Sequence, residues 1–158
     1  MTSSTGAPCI LGQSAGKLKL TCSGINTLTD TAAAVNADTS GVIYGDCDIT
    51  VTKNSTGTLN ITSSMNTAIR SKDDIKLNGG DISINTDVDA TSDADAIRAN
   101  NTLEIDGASV TVTSSADGLK SSKEDVSILS GKVSIKAGND AVQAATALNI
   151  SGGTVTAS

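Results

Sequence analysis

AIRSKDDIKLNGGDISIN, from Ala68 to Asn85, is the stretch on which the fold turns, because the chain writes it again with variations. AIRANNTLEIDGASVTVT follows from Ala96, GLKSSKEDVSILSGKVSIK from Gly118 and AVQAATALNISGGTVTAS from Ala141, and a fainter copy, VIYGDCDITVTKNSTGTLNIT, begins at Val42. The copies start 26, 28, 22 and 23 residues apart. Self-similarity at periods of this size marks a stacked-repeat architecture, in which each unit buries its apolar side only against its neighbours.

Within each copy three short stretches alternate apolar and polar residues at period two, separated by Gly, Asn, Asp and Ser, the pattern of half-buried strands joined by tight turns. No stretch sustains helical spacing. On the first strand Ile43, Ile69, Ile97, Leu119 and Val142 share a register. On the second, Ile49, Ile75, Leu103, Val126 and Leu148 align, and two residues later Val51, Leu77, Ile105, Ile128 and Ile150. The third aligns Leu59, Ile82, Val110, Val133 and Val155, then Ile61, Ile84, Val112 and Ile135. Stacked about 4.8 Å apart, these registers become aliphatic ladders in the interior of a solenoid. The expected fold is an all-β, single-stranded parallel β-helix with three short strands per coil and about five coils. Gly57, Gly80, Gly131 and Gly153 fall in one turn of the repeat, with Ala108 the exception.

The first forty residues fall outside the repeat. Residues 1–15 read as a flexible segment with no apolar run of signal-peptide or membrane-span length. Residues 16–40 read as a partial coil covering the first core layer, with strands in KLKL and INTLT, and residues 41–158 as the coils proper. At the other end the aliphatic ladders of the last coil have no layer above them, an edge that invites another chain. A head-to-tail filament of copies is therefore one structural alternative for the protein's role.

Composition bounds the chemistry. The chain has 158 residues, no Trp, no Phe, no His and one Tyr, so its core is stacked Ile, Val and Leu. A net charge of -6, with a pI near 4.4, argues against nucleic acid or an anionic membrane as partner. Without imidazole, Ser-His and Cys-His nucleophiles and His-bearing zinc sites are excluded.

Acidic residues cluster instead. Asp95, Asp117 and Asp140 share one register immediately before the first strand, and Asp87, Asp89 and Asp93 crowd the inserted turn ahead of it. Carboxylates stacked at about 4.8 Å repel by about 0.9 kcal/mol even in bulk water, so something must offset them. Calcium bridging oxygens of adjacent coils would do so, with Asp87, Asp89, Asp93 and Asp95 the leading set; hydrogen bonds from turn amides would serve equally. Three residues after these aspartates runs an outward row, Tyr44, Arg70, Arg98, Lys120 and Gln143. Two readings fit it: charged rows that neutralise one another, or a groove in which Arg70, Arg98 and Lys120 pair with uronate carboxylates of an acidic polysaccharide. A neutral glycan would find only Tyr44 to stack on. Cys9, Cys22 and Cys47 are an odd set; a Cys22 to Cys47 bridge leaving Cys9 free, or three buried thiols, both accommodate them.

The phrases SGINTLTD (Ser23 to Asp30), IRSKDDIKLNGGDISI (Ile69 to Ile84), DAIRA (Asp95 to Ala99), ADGLKS (Ala116 to Ser121) and GNDAVQAATALNISGGTVT (Gly138 to Thr156) resemble the extracellular carbohydrate-binding β-helix proteins of bacteria. The resemblance spans roughly residues 16–158. It implies a right-handed, pectate-lyase-like helix, calcium sites, a secreted or cell-surface location and affinity for plant-type polysaccharides. Two features depart from the pattern: Cys47 and Asn101 stand where the phrase between them has Asp73, and the long acidic insertion late in the repeat is missing. The expected function is non-catalytic, calcium-assisted binding of acidic or mixed glycans. A lyase using Arg98 as base beside Asp95 is the enzymatic alternative, disfavoured because an open strand face does little to lower a guanidinium pKa.

Overall fold

A computed structural model of the chain describes residues 1–13, 16–34, 39–86 and 94–158. Its strands follow the repeat. After β1 (Thr2–Ser3), the coils run β2 (Ile10–Gly12), β3 (Lys17–Leu20), β4 (Ile25–Asp30); β5 (Gly41–Gly45), β6 (Asp48–Val51), β7 (Thr58–Ser63); and β8 (Thr67–Ser71), β9 (Ile75–Leu77), β10 (Asp81–Asn85). They continue as β11 (Ile97–Ala99), β12 (Leu103–Ser114); β13 (Leu119–Ser121), β14 (Val126–Ala137); and β15 (Val142–Gln143), β16 (Leu148–Ile150), β17 (Thr154–Ala157). Each strand pairs in parallel with its counterpart one coil away, as β5 with β8 and β8 with β11. The first strands form a six-stranded sheet, one strand per coil, and all the others an eleven-stranded sheet. The protein is a parallel β-solenoid of about six turns.

The aliphatic registers are as the repeat predicts. Ile43, Ile69, Ile97, Leu119 and Val142 pair in succession. So do Ile49, Ile75, Leu103, Val126 and Leu148. Ile49, Ile75, Leu103 and Val126 have no exposed surface, and burying each contributes about 1.5–3 kcal/mol before chain entropy is charged. In the last coil the same inward positions lie open: Leu148 is 47% and Ile150 53% exposed. Among the described residues, several buried polar side chains sit at the corners and satisfy turn backbone. Ser71 Oγ, for example, donates to Cys47 O at 2.8 Å and accepts from Asp73 N at 2.8 Å.

Three expectations need correction. The described residues 1–13 are not a free tail: Thr2 and Ser3 pair with Thr29 and Asp30, and Ile10–Gly12 pairs with Ile43–Gly45 as the first strand of a coil that includes β3 and β4. ILG is too short to show a period, so only the neighbouring coil reveals it. The second and third strands also do not always separate. In β12 and β14 they run on through a bulge between Ile105 and Ser109, so one bent sheet replaces two. The turn glycine of the β12 coil is Gly107 (φ 101°), one residue ahead of Ala108, because the bulge shifts the register there. Gly131 fills that role one coil on (φ 100°), where an added Cβ would fall onto Ala108 O.

Candidate glycan-binding face

The first-strand sheet carries the outward row. Tyr44, Arg70, Arg98, Lys120 and Gln143 occupy consecutive registers, one coil apart, on the strands whose inward residues are Ile43, Ile69, Ile97, Leu119 and Val142. Strand alternation then turns the row outward at a repeat of about 4.8 Å. Beside it stand Asp95, Asp117 and Asp140, each two residues before the inward aliphatic residue of its coil.

Hydrogen bonds show how the acidic register is stabilised. Asp95 Oδ1 accepts the Asp117 N–H at 3.3 Å, and Asp117 Oδ1 accepts the Asp140 N–H at 3.1 Å and Asn139 Nδ2 at 2.8 Å. Asp95 and Asp117 thus each receive a backbone N–H of the next coil. All three aspartates meet the row residue three positions later: Arg98 Nη1 lies 3.6 Å from Asp95 Oδ2, Lys120 Nζ donates to Asp117 Oδ2 at 2.6 Å, and Gln143 Nε2 to Asp140 Oδ2 at 3.3 Å. Burial pushes the Asp95 carboxyl above its ordinary range, against the lowering charge of Lys120; Asp117 then adds to the rise and Arg98 opposes it. Burial also works to raise Asp117, but the Lys120 hydrogen bond, the Asp140 N–H, Asn139 and the Lys120 charge outweigh it, and this carboxyl sits below the usual range.

Arg70 differs. Its register partner for the aspartates is Thr67, so its coil supplies no carboxylate three residues upstream, and Arg70 Nη1 donates instead to Ser40 Oγ. Among the described residues it makes no ion pair. Among the described residues, two depressions lie along this face. One of about 240 Å³ is walled by Ser40, Met65, Thr67, Arg70, Asp95 and Arg98. The other, of about 390 Å³, is walled by Asp95, Arg98, Ala116, Asp117, Lys120 and Asn139. They share Asp95 and Arg98, and together form a shallow polar groove that crosses the coils.

Tyr44 does not extend that groove as expected. It is 1% exposed, held in the stack between Leu11 and Arg70, with the Lys72 ammonium 5.7 Å from its ring centroid and its hydroxyl donating to Asp46 Oδ1 at 3.0 Å. Its ring offers no platform for a sugar. The Arg98 guanidinium faces the Asp95 carboxylate, and its Nε donates to Ser122 Oγ at 3.3 Å.

Of the expected calcium ligands, Asp87, Asp89 and Asp93 lie outside the described residues. Asp95 and Asp117 accept N–H groups from the next coil and face the Arg98 and Lys120 cations. A different corner brings carboxylates together. Asp48 and Asp74, each one residue before an inward Ile of the second strand, meet Asp73 with ligand oxygens within 4.8 Å of one another. Asn101 Nδ2 donates to Asp73 Oδ1 at 2.6 Å and Thr102 N to Asp74 Oδ1 at 3.0 Å, leaving each a second oxygen. Lys17 Nζ lies 2.8 Å from Asp48 Oδ2, and its hydrogen bond is the main cause that holds the Asp48 carboxyl below the ordinary range. The shared register of Asp48 and Asp74 was the available sequence signal for this corner.

The three cysteines are free thiols, with Cys22 and Cys47 buried. The expected Cys22 to Cys47 bridge is absent for a reason of register. Lys17–Leu20 pairs with Asp48–Val51, so Cys47 precedes that strand pair while Cys22 follows it. The intervening strand length, on the order of 15 Å, far exceeds the roughly 7 Å of Cα separation a disulfide can span.

Among the described residues no helix is long and apolar enough to cross a membrane. Comparison with curated proteins finds no match. Comparison with solved structures finds none either. The sequence over residues 1–158 does match one family along its entire length, and the chain belongs to the carbohydrate-binding domain-containing proteins.

Proposed function

We propose that this solenoid is a secreted or cell-surface, non-catalytic module that binds acidic or mixed polysaccharides along its first-strand sheet. The observation that carries the reading is the continuous groove over Arg70, Asp95, Arg98, Asp117 and Lys120, an elongated polar surface whose elements recur once per coil. A linear glycan repeats along its length too, so successive sugars meet successive coils. The ion pairs offer both donors and acceptors to sugar hydroxyls, and Gln143 with Asp140 extends the same chemistry to the last coil. Membership of a carbohydrate-binding family supports the partner class. Calcium belongs to the proposal through the resemblance noted above, with Asp48, Asp73 and Asp74 as the described residues able to hold it.

The test is direct titration of the purified chain with oligosaccharides of galacturonate, of mixed uronate and neutral sugars, and of neutral sugars alone. Binding of acidic and mixed chains, weakened by salt because exposed charges are screened within about 10 Å at 0.1 M, is the expected result. A chain that binds no glycan, at any ionic strength and with or without calcium, refutes the reading. The open edge at Leu148 and Ile150 favours a second, compatible reading in which a copy of the chain seats on that edge.

A further inference from the structure

The cations of the groove are not equivalent. Lys120 and Arg98 each face an aspartate that is almost wholly buried: Asp117 is 1% and Asp95 5% exposed. Turning either cation towards a ligand would leave a buried carboxylate without its counter-charge, which is costly. Gln143 carries no charge. Arg70 stands apart, since a neutral hydroxyl, Ser40 Oγ, is its hydrogen-bond partner and Thr67 occupies the place of the aspartate. The Ser40 contact takes up Nη1 and orients the guanidinium, while its remaining N–H groups have no partner among the described residues. A planar fork held this way matches an oxyanion at two points.

The pocket at Arg70 suits one sugar residue. Its volume of about 240 Å³ compares with about 30 Å³ per water, room for a ring with its substituent. Met65 gives it an apolar wall for a pyranose C–H face, and the Asp95 to Arg98 pair closes the side towards the next coil. We infer that this pocket is the subsite that reads charge: Arg70 takes the oxyanion of one acidic sugar, a uronate carboxylate or a sulfate ester, while the coils above it contact hydroxyls. The inference rests on the glycan-binding reading and assigns its acidic preference to a single coil.

Calorimetric titration of the whole chain separates the possibilities, using oligogalacturonate, a sulfated galactan oligosaccharide and a neutral galactan oligosaccharide of equal length. Arg70→Gln removes the fork, Arg70→Lys keeps the charge, and Lys132→Gln makes the same charge change as Arg70→Gln on the exposed third strand. The wild type should prefer one or both acidic ligands, and which one identifies the oxyanion. Arg70→Gln should lose about tenfold or more of that affinity and change the neutral ligand by less than about twofold, as loss of a charge-assisted hydrogen bond requires. Arg70→Lys should fall between, and Lys132→Gln should match the wild type; melting curves establish that each variant is folded. If Arg70→Gln retains the acidic preference, or weakens acidic and neutral ligands equally, the subsite is wrong while glycan binding stands. If Lys132→Gln loses as much as Arg70→Gln, net charge and not the pocket is responsible. Wild type that binds none of the three overturns both the subsite and the glycan reading.

Discussion

Truncating the same ladder one coil apart tests the stacked core most sharply. Ile128 and Ile150 are register partners with identical side chains, 0% and 53% exposed respectively. Ile→Ala removes three carbons, about 2.4 kcal/mol of transfer free energy at about 0.8 per methylene when burial is complete. At Ile128 a closed layer lies on both sides, with Ile105 below and Ile150 above, so a cavity penalty adds to this. The total should fall within the roughly 2–5 kcal/mol of buried Ile truncations, and towards its middle. At Ile150 only about half the side chain leaves water, and solvent fills the space left behind, so the cost should be about 1 kcal/mol. Fraying of the terminal coil would lower it further. Urea unfolding of both variants, followed by far-UV circular dichroism at two protein concentrations, reads the difference as a shift in midpoint at constant slope. Equal costs at every concentration would refute the argument from exposure. An Ile150 cost that grows with concentration would instead show a second copy covering the edge.

Two further outcomes follow from the corners. Lys120→Gln removes the partner of nearly buried Asp117 and should cost on the order of 3 kcal/mol at pH 7. The sign with pH follows from the depressed Asp117 pKa. Its contribution is present above the unfolded value of about 3.9 and is lost as pH falls through the lower folded value, so the penalty should shrink towards pH 2. Asp95, raised by burial, works in the opposite sense, favouring the fold at acid pH and losing that contribution as pH rises through its folded value. Carboxyl carbon NMR titration should place Asp117 below Asp95 in the wild type and move Asp117 up in the variant; an unmoved Asp117 contradicts the pairing. For calcium, saturation at a hundred times Kd stabilises by about 2.7 kcal/mol, several degrees in Tm. Asp73→Asn with Asp74→Asn should abolish that rise; loss on Asp89→Asn with Asp93→Asn instead would move the site to the inserted turn, and no rise in the wild type would refute calcium altogether.

What the sequence made legible was whatever repeats. Ladders such as Ile49, Ile75, Leu103 and Val126 can be read because each coil restates the register, and the outward row follows from alternation alone. What stayed hidden depends on relations that occur once. Burial of Tyr44 requires Lys72 and Asp46 to close over its ring, a contact with no counterpart in other coils. Displacement of the turn glycine to Gly107 comes from one bulge, and the strand at Ile10–Gly12 is defined only by its pairing to β5. The cysteine pairing failed for the opposite reason: the register was available, and it places the two residues at opposite ends of a strand pair.

The same logic gives the groove a direction. The residue three places before the row changes from Thr67 to Asp95, Asp117 and Asp140, while the row itself changes from Arg70 through Arg98 and Lys120 to Gln143. Summed coil by coil over the described residues, the face runs from Arg70, without an ion-pair partner among them, across two neutral ion pairs, to an exposed Asp140 that likewise has none. Each row supplies one end of this gradient, the acidic row lacking its charge at Thr67 and the cationic row at Gln143. It arises because the cations end one coil before the aspartates do and begin one coil before them. If the proposed glycan binding holds, an acidic chain laid in the groove would be drawn to the Arg70 end and repelled at the Asp140 end, so its uronates and its neutral sugars would not be interchangeable along the coils. A mixed glycan, charged where it meets Arg70 and uncharged where it meets Gln143, fits that field better than a uniformly acidic one.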